Sequence, residues 1–231
     1  MNMKTTAIII AAALTITACA SEKKGNTAPE TTQAVATTPS EAAAKGFTAI
    51  VTKGHYDIFY TQGSTTSVEL QGNTDAINNT DISCDGRTLT IAGKNRRRLN
   101  IGNNGDVDVY ITSPTLGKVS INGSGDFKSE SDIKSDNMEI SISGSGDAEL
   151  RSLDCTECRL SIAGSGDIGV DRIKAERLEA KIAGSGDIDL SNADISNAEC
   201  SIAGSGDIDI DGRVGSCSKR IAGSGRIDIN P

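Results

Sequence analysis

The chain has 231 residues, a net charge of −8, and a composition that is 36% hydrophobic and only 3% aromatic. The absence of Trp, with three Phe and three Tyr, excludes a core of large aromatics, and 25 glycines point instead to small and β-branched aliphatics joined by tight turns. The acidic balance argues against nucleic acid as a partner, and a single histidine, His55, leaves no His pair for metal binding or acid–base work.

The first predicted element is a secretory signal. Lys4 precedes an apolar stretch from Ala7 to Ile16, too short to span a bilayer permanently. It ends in Ile16-Thr17-Ala18-Cys19, which resembles the bacterial lipobox, where the cysteine is acylated and becomes the new N-terminus. The expectation is a signal peptide over residues 1–18 and a lipid on Cys19, the alternative being ordinary cleavage near Ala18. Removal of Lys4 with the signal leaves 22 basic and 31 acidic residues, a charge of −9. Several acyl chains anchor far more firmly than one. By resemblance to proteobacterial sorting patterns, Ala20 and Ser21 favour the outer membrane, with either a periplasmic or a surface-facing protein. Residues 19–45 then form the acylated cysteine and a tether of Ser, Thr, Ala, Pro and Glu that lacks the apolar surface to order itself. As a flexible coil its ends would lie about 30 Å apart.

Residues 46–115 alternate in short runs, including Ile50, Tyr56, Ile58, Tyr60, Val68, Leu70, Leu89, Ile91, Val107, Val109 and Ile111. Turn signals such as Lys53-Gly54, Gln62-Gly63-Ser64 and Asp85-Gly86 separate them, predicting an antiparallel β-meander that covers the start of the segment from residue 116 onward.

Residues 116–231 repeat. Gly-Ser-Gly-Asp begins at Gly123, Gly144, Gly164, Gly184 and Gly204, and a sixth copy from Gly223 ends in Arg226. The spacings are 21, 20, 20, 20 and 19, the mark of a solenoid. Two residues before each first glycine stands Ile121, Ile142, Ile162, Ile182, Ile202 or Ile221, and four before it Val119, Ile140, Leu160, Ala180, Cys200 or Lys219. After the Asp, period two resumes through residues such as Ile168 and Val170. A strand therefore enters each turn and a strand leaves it. The predicted fold is all-β, a parallel β-helix of about six 20-residue coils, roughly 24 Å tall between its first and last turns. The intervening Ser120, Ser141, Ser161, Lys181, Ser201 and Arg220, with Asn122, Ser143, Ala163, Ala183, Ala203 and Ala222, face outward as two columns of mostly small residues.

A family resemblance rests on Gly46-Phe47-Thr-Ala-Ile50, Tyr56-Asp57-Ile58-Phe-Tyr-Thr-Gln62-Gly63, Thr88-Leu89-Thr-Ile91 and Val107-Asp-Val109-Tyr-Ile111, followed by Ile121-Asn-Gly123-Ser-Gly125-Asp126. This order resembles the head GIN domain family, described as autotransporter-adhesin heads and common in bacterial lipoproteins. The resemblance covers nearly all of residues 46–231, making them one GIN-like domain. It implies a right-handed β-helix and an adhesive role, and it brings no catalytic residue.

The residues that invite chemistry are the column Asp126, Asp147, Asp167, Asp187 and Asp207. Carboxylates about 5 Å apart match a retaining glycosidase pair, but any β-helix with one Asp per coil produces that spacing. Calcium is a second reading, with Asp189, Asp209 and Asp228 as further oxygen donors, though six to eight oxygens must converge. The favoured reading is that each carboxylate accepts hydrogen bonds from turn N–H groups of its own or an adjacent coil, with no metal and no cofactor beyond the Cys19 lipid. Arg226 is expected to pair with Asp207. Cys84, Cys155, Cys158, Cys200 and Cys217 read as mainly buried thiols, although an exported location permits a disulfide. Lys94-Asn-Arg96-Arg97-Arg98 reads as a solvated loop, and His55 has no evident partner. The functional expectation is a non-enzymatic binding or adhesion module on a membrane anchor, facing an envelope or host glycan or protein. A structural envelope protein is the runner-up, and an enzyme on polysaccharide comes third.

Overall fold

The computed structural model describes residues 46–94 and 107–231; Cys19, the signal and tether segments and Arg96 to Arg98 lie outside the described residues. Six strands precede the repeat: β1 (Ala49–Gly54), β2 (Tyr56–Gln62), β3 (Ser67–Gly72), β4 (Thr80–Cys84), β5 (Thr88–Gly93) and β6 (Val107–Ser113), with a short helix α1 (Thr74–Asn78) between β3 and β4. The repeat comprises β7 (Lys118–Gly123), β8 (Phe127–Gly144), β9 (Ala148–Gly164), β10 (Ile168–Val170), β11 (Ile173–Gly184), β12 (Ile188–Gly204), β13 (Ile208–Gly223) and β14 (Ile227–Asn230).

Successive coils pair in parallel, and like stacks on like: Ile142 on Ile162, Ile162 on Ile182, Ile182 on Ile202, and Ile202 on Ile221. The result is the expected parallel β-solenoid, with the inward columns buried and the alternate columns outside. Each coil turns at Gly-Ser-Gly-Asp, again near the exposed Asp171-Arg172 position, and again at paired exposed residues such as Thr156-Glu157 and Glu176-Arg177. The odd spacings are absorbed at the second of these corners. β8 has an extra residue between Ser129 and Asp132 against β9, and β13 lacks one opposite Leu190 to Ala193 of β12.

Both glycines of the turn are dictated by stacking. A Cβ on Gly184, whose φ is +148°, would collide with the carbonyl oxygen of Gly164 one coil away, and one on Gly186 would collide with that of Gly166. Only a residue without a side chain lets the turns approach closely enough for Ser185 N–H to donate to Gly164 O at 2.9 Å.

The region before the repeat is antiparallel in part. β4 pairs antiparallel with its sequence neighbour β5, as in the expected meander, and β3 is antiparallel too but pairs with the more distant β6. However, β1 runs parallel to both β5 and β7, and β2 runs parallel to both β6 and β8. The hairpin expectation is corrected there: β1, the turn from Gly54 to Asp57, and β2 form two sides of a further level of the solenoid. β5 and β6 lie over β1 and β2 in turn and cover that level. Alternation buries one face of a strand equally in either orientation, so period two alone did not distinguish these pairings. Helix α1 buries Ala76 and Ile77 and is capped by Asn73, whose Oδ1 accepts from Asp75 N–H at 2.8 Å.

Candidate functional site

The aspartates of the turn form a continuous hydrogen-bonded ladder. Asp126 Oδ1 accepts from the backbone N–H of Asp147 at 3.1 Å, Asp147 from Asp167 at 2.9 Å, Asp167 from Asp187 at 2.8 Å, and Asp187 from Asp207 at 2.7 Å. Asp207 Oδ1 accepts from Arg226 N–H at 2.8 Å, and its Oδ2 accepts from the Arg226 guanidinium at 3.1 Å. Arg226 also reaches Asp228 at 2.6 Å, and these carboxylates hold its guanidinium more firmly protonated than usual. The donors therefore belong to the adjacent coil, and the charge of Arg226 closes the row at Asp207.

The ladder begins one rung earlier than the five aspartates singled out in sequence. Asp57 Oδ1 accepts from Asp126 N–H at 3.0 Å. Gly54-His55-Tyr56-Asp57 occupies the place of Gly-Ser-Gly-Asp, with Ile50 and Thr52 before it and Ile58 and Tyr60 after it. The signal was legible in the shared Gly-x-x-Asp frame and the same flanking offsets. It was obscured because Tyr56 replaces the second glycine, Thr52 replaces the isoleucine, and the next rung is 69 residues away instead of 20 or 21. His55, partnerless by sequence, places its Nδ1 3.1 Å from Ser124 Oγ.

A second acidic column runs two residues further on, with Asp189, Asp209 and Asp228 in register. Partial burial first, then the neighbouring carboxylates, raise the Asp189 carboxyl above the usual range; the same burial raises Asp209, with Arg226 opposing it. Among the described residues, no three His, Cys, Asp or Glu side chains are grouped so as to hold a metal ion.

Opposite charges also meet in neighbouring coils, both near the third corner and at the start of the strand that enters the turn. Lys118 meets Glu139 at 2.9 Å, Arg159 meets Glu179 at 2.6 Å, Arg177 meets Glu157 at 2.8 Å, Arg213 meets Asp194 at 2.6 Å, and Arg220 pairs with Glu199. Lys181 and Arg159 hold the Glu179 carboxyl below its usual range. Such exposed pairs contribute roughly 0–1 kcal/mol each, but they favour one stacking register over another. The part of that entering strand next to the turn is different. Ser143, Ala163, Ala183, Ala203 and Ala222 are exposed in one column beside Ser141, Ser161, Lys181, Ser201 and Arg220, around a shallow and mainly apolar depression of about 480 Å³.

All five cysteines among the described residues are free thiols; Cys155, Cys158 and Cys200 are buried, and Cys84 and Cys217 are half-buried. Cys158 falls in register with Met138 and Leu178, and Cys217 with Ala198.

The sequence pattern of the family described as "Putative auto-transporter adhesin, head GIN domain" matches residues 46–230. The chain belongs to this head GIN domain family. Among solved structures it is similar to a "putative adhesin" from Bacteroides fragilis, with a TM-score of 0.74 and 24% identity over 84% of this chain and 96% of that one. It is also similar to a "Putative lipid binding protein" from Parabacteroides distasonis, with a TM-score of 0.62 and 22% identity over 85% and 96% of the two chains. A "putative adhesin" from Parabacteroides merdae shares the fold at a TM-score of 0.59 and 19% identity, covering 80% of this chain and 92% of that one. No curated protein matches the chain.

Proposed function

We propose that this protein is an exported lipoprotein, anchored in the outer membrane through Cys19, whose GIN domain is a non-enzymatic binding or adhesion module for an envelope or host-surface glycan or protein. The observation that carries the reading is the pairing of the family match with an exposed, regular face of small side chains. On that face Ala163, Ala183 and Ala203 leave the sheet open to a broad partner, while Lys181 and Arg220, paired with Glu179 and Glu199, place ion pairs at its edge. The aspartate column is assigned a structural role without metal, because backbone donors of the next coil already engage its carboxylates.

The test uses the soluble domain, residues 46–231, on glycan arrays and on envelope and host-cell surfaces. Saturable binding that Ala183→Glu abolishes without lowering the melting temperature supports the module. Absence of binding to every surface would favour the structural envelope protein, and turnover of polysaccharide lost on Asp187→Asn would favour an enzyme. Palmitate labelling of the full chain that persists in Cys19→Ala would overturn the anchor. A melting temperature that rises with calcium and falls with chelator would move the aspartates into a metal site.

A further inference from the structure

One corner of the solenoid is built unlike its copies. At the third corner of each coil, two inward residues flank two exposed ones. These inward pairs are Ser135 and Met138, Ala175 and Leu178, Ile195 and Ala198, and Val214 and Cys217, but Cys155 and Cys158 in β9. Aliphatic pairs fill this space in the two following coils, so packing alone does not call for two thiols. Cys155 and Cys158 both point inward, one from each side of this single corner, and each perturbs the other's titration.

The two sulfurs differ in access. Cys155 is 7% exposed and contributes to the wall of a groove of about 880 Å³. Its neighbours in the column, Ser135 and Ala175, are too small to cover it. Cys158 is 3% exposed and lies between Met138 and Leu178. Interaction with Cys158 lowers the Cys155 thiol below its usual range, whereas the same interaction and burial push Cys158 up. A sulfur at the wall of a groove, backed by a more deeply buried one, is an arrangement that thiol–disulfide exchange can use.

We propose that Cys155 and Cys158 are an exchange-active dithiol that closes to an intracoil disulfide by reaction with an external disulfide, with Cys155 as the attacking sulfur. The Cys155 thiolate, having lost its proton to solvent, attacks one sulfur of the external disulfide. A mixed disulfide forms, and the first external sulfur leaves as a thiolate that takes up a proton. Cys158 then loses its proton and attacks Cys155 Sγ. The Cys155–Cys158 bond forms and the second external sulfur leaves and is protonated. The two cysteines are oxidised by two electrons, and one external disulfide is reduced to two thiols.

Cys200 and Cys217 are the competing pair, with sulfurs 4.0 Å apart. Their register is diagonal, since Cys217 lies beside Ala198 and Cys200 beside Lys219. Strand spacing and rise then set their Cα atoms about 8 Å apart, beyond the ~7 Å that a disulfide bridges without backbone movement.

The experiment uses the full chain with Cys19, Cys84 and Cys217 replaced by Ser, with oxidised glutathione as the probe and intact and peptide mass spectrometry as the readout. The expected result is loss of two hydrogens, mapped to a Cys155–Cys158 link and reversed by dithiothreitol. Cys158→Ala should accumulate a glutathione adduct on Cys155, and Cys155→Ala should leave Cys158 unmodified over the same time. Both variants introduce an alanine that another coil already carries at that corner, Ala198 and Ala175 respectively, and unchanged melting curves confirm folding. An unchanged mass in the folded parent, a link to Cys200, or an adduct forming first on Cys158 would overturn the proposal.

Discussion

The two ends of the solenoid are closed by different means. At the first level, β5 and β6 lie over β1 and β2, and Ile50, Ile58, Leu89, Ile91 and Val109 are fully buried. At the last level the same inward columns meet water: Ile221 is 48% exposed, and Val214 and Cys217 are half-buried. Here charge does what strands do at the other end. Lys219 stands where Val119, Ile140, Leu160, Ala180 and Cys200 stand below it, and its ammonium donates to Ile227 O at 2.9 Å. Arg213, Arg220 and Arg226 reach back to Asp194, Glu199 and Asp207. Among the described residues, no strand pairs with β13 between Gly212 and Gly223 on the side away from β12. Cationic side chains along such an edge disfavour addition of another strand. One repeat thus serves as interior or as last level by changing a few inward residues and the Asp of the turn, which becomes Arg226, while the Gly-Ser-Gly is kept.

The largest expected effect comes from one column. Ile182 is 2% exposed in a middle coil and Ile221 is its counterpart in the last. Ile182→Ala should destabilise by about 2–5 kcal/mol, as a buried large-to-small change. Ile221→Ala should cost under about 1 kcal/mol, because half of its side chain is already wetted. Urea melts of both variants decide the matter, and equal losses would erase the distinction between interior and end.

The covered end contains its own weak point. Thr52 is 1% exposed, occupies the isoleucine column, and leaves its hydroxyl oxygen without a hydrogen-bond partner. Thr52→Val keeps the shape and removes the unsatisfied group, so a gain of about 1 kcal/mol is expected by chemical denaturation. A loss of stability would mean that the hydroxyl is satisfied in solution.

Much of this was legible in sequence, for a physical reason. A solenoid repeats its environment at a fixed period, so the inward isoleucines, the outward small columns and the Arg226–Asp207 pair follow from the position of Gly-Ser-Gly-Asp. The first level was not legible because its partners are distant in sequence. Asp57 meets Asp126 across 69 residues, and Tyr56 is admitted where later coils demand glycine. Among the described residues no glycine turn stacks beyond Tyr56, and its hydroxyl lies near Gly93 of β5. The dithiol corner was visible only as a spacing, since the groove beside Cys155 is assembled from several coils.

Smaller effects sharpen the view of the charged end. Arg226→Asp should lower the melting temperature more than Arg226→Ala, because it adds a further carboxylate beyond Asp207 as well as removing the pair. Equal shifts would show that a further carboxylate beyond Asp207 brings no repulsion to the row. For Asp189 the folded-state carboxyl is raised, so its native charge is unfavourable. Stability from this group is present below the ordinary carboxylate range and is lost as pH rises through the raised value. Asp189→Asn should therefore raise the melting temperature slightly at neutral pH, with the gain disappearing in acid. A gain that is independent of pH would point to packing instead of charge.

Closure by strands at one end and by charge at the other is tested most directly by native-state hydrogen–deuterium exchange. Strand amides of β1 and β7 to β12 are expected to share strong protection. Protection should then fall at β13 and β14, with the Gly212–Gly223 edge exchanging first and Lys219→Ala accelerating that exchange. Protection as strong in β13 as in β11, or earlier exchange at β1 than at β13, would contradict this difference between the ends.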